Sequence, residues 1–325
     1  MKKENTGENS DLQADEENKI ITRILKKTGN PDLLSELETI PVSDLNTLLL
    51  ELYRKKIRLF KPADLLRQYR QNRFSFPSDS NPVKIHRFAA DILEAAEKAG
   101  YSCLELSPVT VLGSCSVMAE VDQNNVLSAL RGTEVLSDST NNLALHIAFL
   151  KEKLNSQKPE KFRYCTVHRH IRAQKFSGKN QLPHFLLYSM VISGYDRGNY
   201  SFETEAIRET LSFYYNYLNS LGCIRDLGLL IWPGDPALTH RVISHLREEG
   251  LWKKIEEQAP LEKNYYRGLQ FKIRADLGET KPEIADGGFV DWPEKLLQNK
   301  KERMLVSALG LERLMTLVSN NERPR

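Results

Sequence analysis

The amino-acid sequence predicts an α+β fold, in which an antiparallel β-sheet is flanked by helices and preceded by a small all-helical appendage. From residue 19 to about residue 70, helical patterns follow one another. Further along, two strand-like segments, 162–169 and 185–192, flank a short loop and should therefore pair antiparallel. The chain has 325 residues, roughly twice the ~150 residues that are typical of one domain, which favours one large domain with an appendage.

Composition and charge exclude several classes of protein. Hydrophobic residues make up 40% and charged residues 27% of the chain, which excludes a wholly disordered, collagenous or coiled-coil protein. Lys and Arg number 46 against 43 Asp and Glu, a formal net charge of +3. So small a net charge does not by itself indicate binding to nucleic acid or to a membrane surface. No apolar run approaches ~18 residues and the N-terminus lacks the apolar part of a signal peptide, so neither membrane insertion nor secretion is expected.

The four cysteines indicate the redox environment. Cys103, Cys115, Cys165 and Cys223 are scattered along the chain, without the short paired spacings of a zinc site or of a dense disulfide framework. We therefore expect a cytoplasmic protein without a metal site built by its own residues.

The N-terminal part is predicted as a tail followed by a helical appendage. Residues 1–18 carry six acidic side chains and almost no apolar ones, so they are expected to form a disordered acidic tail. Residues 19–82 are predicted as the appendage and a linker, with three successive helices, the second capped by Ser43 and the third beginning at Pro62. The prolines and serines of residues 73–82 have linker composition.

The larger domain, residues 83–325, is predicted to mix helices and strands. Its first helix has an apolar stripe over 85–99 and ends at Gly100, and Asp235 before Pro236 is a typical helix start. The later helices are predicted over 141–153, 202–221 and 235–250, with a last one from Gly310. The strands are predicted over 101–106, 162–169, 185–192, 227–232, 266–273, 283–289 and 303–308.

Three sequence motifs, in this order, resemble the catalytic domain of class II aminoacyl-tRNA synthetases over roughly residues 83–318. The first motif is a helix and a strand ending at Pro108, IHRFAADILEAAEKAGYSCLELSP. The second is RYCTVHRHIRAQ, the loop KFSGKNQLP and HFLLYSMVISG, and the third is MLVSALGLERLM. The resemblance implies a class II antiparallel sheet flanked by helices, and a homodimer through the first motif. The apolar stripe over 85–99 is consistent with such an interface.

The same resemblance implies where a nucleotide would bind. Arg169 matches the arginine that holds the α-phosphate of ATP, and Arg313, preceded by Glu312, matches the arginine that contacts the γ-phosphate. Arginine suits both tasks because its planar guanidinium binds two phosphate oxygens and stays charged. Both would act catalytically by stabilising developing negative charge, on ATP accompanied by Mg²⁺. The alternative for Arg313 is an exposed helix residue that pairs with Glu312 or a neighbour. The alternative for Arg169 is a surface arginine in a cluster with Arg163, His168, His170 and Arg172.

The loop of the second motif contains further candidate phosphate ligands. Lys175 and Lys179 lie within it and His184 follows it. Cations there would clamp a pyrophosphate or the end of a nucleic acid, while a solvated loop is the alternative.

Within class II, the sequence is most similar to histidyl-tRNA synthetase and to the regulatory subunit of ATP phosphoribosyltransferase. The similar segments, in order, are TEVLSDSTNNLALHIA, ETEAIRETLSFYYNYLNSLG, NYYRGLQF and IADGGFVDW. The substrate-binding residues that this resemblance implies are Asp138, Thr140, Tyr265, Tyr266, Gly287 and Gly288. The residues alone also allow a helix cap at SDST, a tyrosine pair in the core, and a bulge or turn at the two glycines.

The sequence also departs from the histidyl pattern. Ile171 stands where the second motif has a carboxylate, Leu261 where an arginine precedes the paired tyrosines, and Phe289 where an arginine follows the double glycine. Apolar residues thus replace hydrogen-bonding ones, so we expect that the chain does not charge histidine tRNA. A divergent member of the class, without the anticodon-binding domain, is the expected type.

Three functions follow from these observations. The leading one is ATP-dependent activation or transfer of an amino acid or similar small carboxylic acid. The second is a catalytically inactive paralogue that serves a partner enzyme as a regulatory or binding subunit. The third is an RNA-binding module, with tRNA as a candidate partner, since residues 53–73 contain eight Lys and Arg that would suit RNA phosphates. Solvated amphipathic helices are the alternative for that segment.

Overall fold

The computed structural model describes residues 18–154, 161–174, 183–260 and 265–321. The chain divides into two compact units. The first unit comprises the chain up to Pro62 together with Leu130–Gly132, and the second comprises the remainder. The acidic tail predicted for residues 1–18 lies outside the described residues, except for its last residue.

The described part of the first unit contains the helices α1 (18–28), α2 (Leu33–Glu38) and α3 (Val42–Ile57). The first two predicted helical patterns are confirmed as α1 and α3, but the cap predicted at Ser43 is wrong. Helix α3 follows Pro41, whose φ of −52° already suits the first turn. The carbonyl of Pro41 accepts the N–H groups of Asp44 and Leu45, so Ser43 already lies inside the helix.

From residue 62 onward, the helices are α4 (Pro62–Gln71), α5 (Pro82–Lys98), α6 (Ser114–Ala119), α7 (Ser139–Lys153), α8 (Ser201–Ser220), α9 (Pro236–Glu249), α10 (Trp292–Leu297) and α11 (Leu311–Asn321). The predicted start of α9 is confirmed, because the Asp235 side chain accepts the N–H groups of Ala237 and Leu238. Gly250 ends the helix with a φ of +67°, a backbone conformation that favours glycine.

The apolar stripe of helix α5 is buried within its own unit. Asn81 caps the helix through Lys84 N–H, and Pro82 occupies the first turn. The buried residues of the stripe are Ile85, Ala89, Ile92 and Ala96, all part of the core. The stripe is therefore not free to form a dimer interface, and the homodimer stays a prediction.

The strands are β1 (Ser102–Cys103), β2 (Val109–Val111), β3 (Ser128–Ala129), β4 (Thr133–Val135), β5 (Phe162–Ile171), β6 (His184–Tyr195), β7 (Asp226–Pro233), β8 (Lys254–Glu257), β9 (Arg267–Asp276), β10 (Glu283–Val290) and β11 (Glu302–Gly310). Eight of them form one sheet in the order β1-β5-β6-β11-β10-β9-β7-β8, and β2-β4-β3 form a small second sheet. All pairs in the large sheet are antiparallel except β1–β5 and β7–β8. The predicted antiparallel sheet and the predicted pairing of β5 with β6 are confirmed. The strand predicted over 101–106 is shorter, because the chain leaves the sheet after Leu104 N–H bonds to Cys165 O.

Two hydrophobic clusters cover the two faces of the large sheet. Successive side chains alternate between them: Tyr188 and Leu305 belong to one cluster, and Val191 and Val306 to the other. Helices α5, α8, α9 and α11 cover the first face, called the α8 face below. Helices α6, α7 and α10 cover the second, called the α7 face.

None of the helices in the described part of the chain combines the length and the apolar composition that a membrane crossing requires. All four cysteines are free thiols, and the Sγ atoms of Cys103 and Cys165 lie 3.4 Å apart.

Candidate functional site

A cavity of about 300 Å³ lies on the α7 face of the sheet, where strands β6, β9, β10 and β11 meet the start of α7. Its wall includes Phe185 and Leu187 of β6, which point to the same face as Val191 because strand side chains alternate. The polar and aromatic residues that line it are Asp138, Thr140, Arg172, Phe185, Tyr265, Tyr266, Lys272, Glu283, Asp286, Ser307 and Arg313.

Five of the residues predicted from the sequence come together in this cavity. They are Asp138, Thr140, Tyr265, Tyr266 and Arg313. These residues lie far apart in the chain and are brought to one place by the sheet order, in which β11, β10 and β9 are neighbours.

Asp138 is both the cap of α7 and a wall of the cavity. Its Oδ1 atom accepts the N–H of Thr140 at 2.9 Å and the hydroxyl of Thr140 at 2.7 Å, as a helix cap does. No described residue bonds to Oδ2 of Asp138. One carboxylate oxygen therefore serves the helix, and the other is free for a ligand.

The paired tyrosines form an aromatic wall. The ring centroid of Tyr265 lies 4.4 Å from that of Tyr266 and 5.7 Å from that of Trp292. Burial raises the pKa of both tyrosines, and nearby acidic groups add to the effect. Both therefore stay neutral and offer hydroxyl groups rather than charge.

The sequence did not single out Asp286, a further carboxylate of the cavity. Burial, and then the negative charge of Asp138, raise the pKa of Asp286 to about 6, although Lys272 and Arg172 act in the opposite direction. Lys272 is engaged elsewhere, since its Nζ atom pairs with Glu283 at 2.8 Å. No described residue forms a hydrogen bond or ion pair with the Asp286 carboxyl group, which makes it a poorly compensated charge.

Two arginines add positive charge to the same cavity. Arg172 donates from Nε to the carbonyl of Ser137 at 3.2 Å and lies 5.2 Å from the centroid of Phe185. Arg313 is exposed and makes no hydrogen bond or ion pair with any described residue. Besides the Lys272–Glu283 pair, the cavity thus combines the carboxylates of Asp138 and Asp286 with two arginines whose guanidinium groups have few protein partners.

Arg169 does not line this cavity. It lies opposite Leu186 in the β5–β6 pair, and Leu186 belongs to the cluster of the α8 face, so Arg169 points to the opposite side of the sheet. Arg169 and Arg313 therefore do not line the same cavity, because neighbouring residues of a strand point to opposite faces of the sheet. His170, the next residue, lies opposite Phe185 on the cavity side.

Arg169, Glu312 and His184 instead form a compact group of their own. Arg169 Nη2 lies 2.9 Å from Glu312 Oε1, and its Nη1 lies 3.1 Å from Nδ1 of His184. Glu312 also accepts the N–H of Leu186 and the hydroxyl of Ser78, each at 2.9 Å. Burial alone would raise the pKa of Glu312, but these hydrogen bonds and the charge of Arg169 hold it below its ordinary value.

The two predicted glycines serve packing in the sheet. A Cβ atom on Gly287 would lie 2.6 Å from the carbonyl oxygen of Val306, and one on Gly288 would lie 2.5 Å from the ring of Tyr266. Neither glycine lines the cavity. Lys175, Lys179 and the position of Leu261 lie outside the described residues.

A sequence signal for Asp286 exists. Asp286 is the one charged residue between Ile284 and Val290, and an isolated carboxyl group in an otherwise apolar strand is costly to bury. Such residues are candidates for functional sites. No comparable signal marks Arg172, which lies just after β5, three residues beyond Arg169.

Comparison with known proteins identifies the fold. No protein-family model matches the chain, and no protein with a curated description matches it. Apo histidyl-tRNA synthetase from S. aureus is similar with a TM-score of 0.57 and 17% identity, over 76% of this chain and 70% of that chain. An ATP phosphoribosyltransferase regulatory subunit/histidyl-tRNA synthetase from Bacillus halodurans is similar with a TM-score of 0.57 and 11% identity, over 80% and 83% of the two chains.

A third similar structure is the RNA binding domain of threonyl-tRNA synthetase from Cryptosporidium parvum, with a TM-score of 0.59 and 12% identity, over 76% of this chain and 68% of that one. At such identities the likeness concerns the fold. The chain has the class II synthetase-like fold that its three motifs predict.

Proposed function

We propose that this class II synthetase-like chain binds an amino acid, or a similar small acid with an amino group, in the cavity on the α7 face and activates it with ATP. One observation carries the proposal: apart from the Lys272–Glu283 pair, two carboxylates, Asp138 and Asp286, and two arginines, Arg172 and Arg313, line the same cavity. A ligand with both an ammonium group and anionic oxygens would compensate both sets of charge. The free thiols suit a cytoplasmic setting.

The ammonium group would lie beside Asp138 and Asp286. The pKa of Asp286 is raised to about 6 by burial and by Asp138, so its ionised form is disfavoured in the empty cavity. A bound cation would favour that ionised form. Binding should therefore be tightest above about pH 6 and should weaken as the pH falls through that value.

Activation would join a ligand carboxylate oxygen to the α-phosphorus of ATP, with release of pyrophosphate. Arg172 would take the phosphate role that the motif match gave to Arg169, because Arg172 lines the cavity and Arg169 does not. Arg313 would hold the far end of the triphosphate. Mg²⁺ would come with ATP, since no three His, Cys, Asp or Glu side chains in the described ranges are grouped to hold a metal ion.

A second function, a catalytically inactive binding or regulatory subunit, is favoured by a specific observation. Ile171 occupies the position where the second motif has a carboxylate, and Arg169 is bound by Glu312. The cavity would then sense the same ligand for a partner enzyme. The RNA-binding hypothesis has weaker support, namely the exposed Arg54, Lys55 and Lys56 in the last turn of α3.

The test uses the full chain and all twenty amino acids. Calorimetric binding identifies the ligand, and exchange between ATP and labelled pyrophosphate measures activation. Asp286→Asn should weaken ligand binding about tenfold or more, because a charged partner is lost, whereas Asp91→Asn, an exposed change on α5, should not.

Each outcome has a defined meaning. Binding with exchange supports the enzyme, and binding without exchange favours the inactive subunit. Failure of every amino acid to bind overturns the proposal. We also expect no charging of histidine tRNA beside a true histidyl enzyme.

A further inference from the structure

The first turn of α7 is fixed to the sheet through the side chain of His170. His170 is fully buried on β5, and its Nε2 atom accepts the backbone N–H of Ser139 at 2.9 Å. The hydroxyl of Ser139 also bonds to that of Ser189 on β6 at 2.7 Å. Ser139 is the first residue of α7 and directly follows Asp138. These two hydrogen bonds of Ser139, called the anchor below, therefore lie next to a carboxylate of the cavity.

The hydrogen bond from Ser139 requires one neutral tautomer of His170. Because Nε2 accepts a hydrogen bond, the ring proton has to be on Nδ1. Burial, and then the positive charge of Arg172, lower the pKa of His170 to about 3. The imidazole therefore stays neutral at ordinary pH. The ring also stacks on Phe185 with an interplanar angle of 26°, which holds its plane.

The Asp138 carboxylate is attached to the same turn that His170 and Ser189 hold. Oδ1 of Asp138 is held by the N–H and the hydroxyl of Thr140, so the carboxylate is tied to the first turn of the helix. If that turn moves, the free oxygen moves with it. The Ser139–His170 hydrogen bond therefore connects the free oxygen of Asp138 to strand β5.

We infer that His170 is a positioning residue, which holds the first turn of α7 so that the Asp138 carboxylate faces Asp286 in the cavity. The inference rests on the proposed function in treating the cavity as the ligand site. The acceptor atom of the imidazole is the required feature, because the ring itself makes apolar contact with Phe185 that a phenyl ring would retain.

The test is a ¹³C NMR titration of the Asp286 carboxyl group in the full chain without ligand. The wild-type midpoint is expected near the pKa of about 6, part of which is due to Asp138. His170→Phe keeps the aromatic ring and removes the acceptor, so the midpoint should fall by about half a unit or more toward the ordinary value. His170→Gln supplies an acceptor near the Nε2 position and should keep the wild-type midpoint.

A control and a second variant complete the design. His168→Phe removes a neighbouring buried histidine that makes no hydrogen bond to Ser139, and it should leave the Asp286 midpoint unchanged. A structural loss alone would lower the melting temperature without moving this titration. If His170→Phe does not fold, Ser189→Ala removes the other half of the anchor and should lower the midpoint by a smaller amount.

The inference is overturned if the acceptor-free variant titrates like wild type, or if the glutamine variant shifts as much as the phenylalanine variant. An amino acid that binds wild type should bind His170→Phe about tenfold more weakly. Since the NMR titration needs no ligand, failure of all amino acids to bind would refute the proposed function while the positioning role remains measurable.

Discussion

Two carboxylates on opposite faces of the large sheet differ in how their negative charge is compensated. On the α8 face, Glu312 receives hydrogen bonds from Arg169, Leu186 and Ser78. On the α7 face, no described residue bonds to the carboxyl group of Asp286, whose pKa is raised to about 6 by burial and by Asp138. The protein therefore compensates the charge of Glu312 and leaves that of Asp286 without a bonded partner.

This difference separates a structural role from a binding role. A buried charge with complete hydrogen bonding contributes to the stability of the folded chain, whereas an uncompensated one lowers it. Residues that cost stability without protein partners are candidates for ligand contact. Three substitutions test whether the Glu312 group and the cavity differ in this way.

The largest effect is expected from Glu312→Ala. The change leaves Arg169 and the N–H of Leu186 without their acceptor, so the free energy of unfolding should fall by about 2–4 kcal/mol. Because the pKa of Glu312 is held below its ordinary value, its contribution is present above about pH 4 and is lost as the pH falls further. Urea unfolding at pH 7 measures the loss, with the exposed Glu97→Ala as the control. Equal stabilities of the two variants would contradict a structural role of this group.

A smaller effect of opposite sign is expected from Asp286→Asn. A raised folded-state pKa means that ionisation of Asp286 opposes folding, so its stabilising contribution is complete below about pH 4 and is lost as the pH rises through about 6. The asparagine variant should therefore be more stable than wild type by about 1–2 kcal/mol at pH 8 and no more stable at pH 4. Urea unfolding at both pH values checks this. A variant destabilised at pH 8 would show that the carboxylate is compensated after all.

The smallest effect on stability is expected from Arg313→Ala. Arg313 is exposed and unpaired among the described residues, so the free energy of unfolding should change by less than about 0.5 kcal/mol. ATP binding should nevertheless weaken about tenfold, because a charged hydrogen-bond partner is lost. Lys300→Ala, also exposed, is the control. Equal calorimetric affinities of the two variants for ATP would remove Arg313 from the site.

Local sequence patterns predicted the long elements well. The antiparallel pair β5–β6 and the start of α9 at Asp235 were confirmed, because alternation and capping depend on neighbouring residues. The short elements α6 and β2 to β4 were not predicted. The buried Glu134 on β4 holds α6 by accepting the N–H groups of Gly113 and Cys115 at 2.8 and 3.1 Å. That contact spans about twenty residues and leaves no periodic signal.

The sequence by itself determined the class of fold and five of the cavity residues, since motif order and helix capping are properties of the chain. The tertiary structure alone decided which face each strand residue occupies. Arg169 and His170 are adjacent in sequence, yet on β5 they point to opposite faces of the sheet. Arg169 lies with Glu312 and His184, and His170 lies on the cavity side. Strand register depends on pairing between distant segments, and a shift of one residue reverses the face. The raised pKa of Asp286 likewise arises from burial and from Asp138, which only the folded chain brings together.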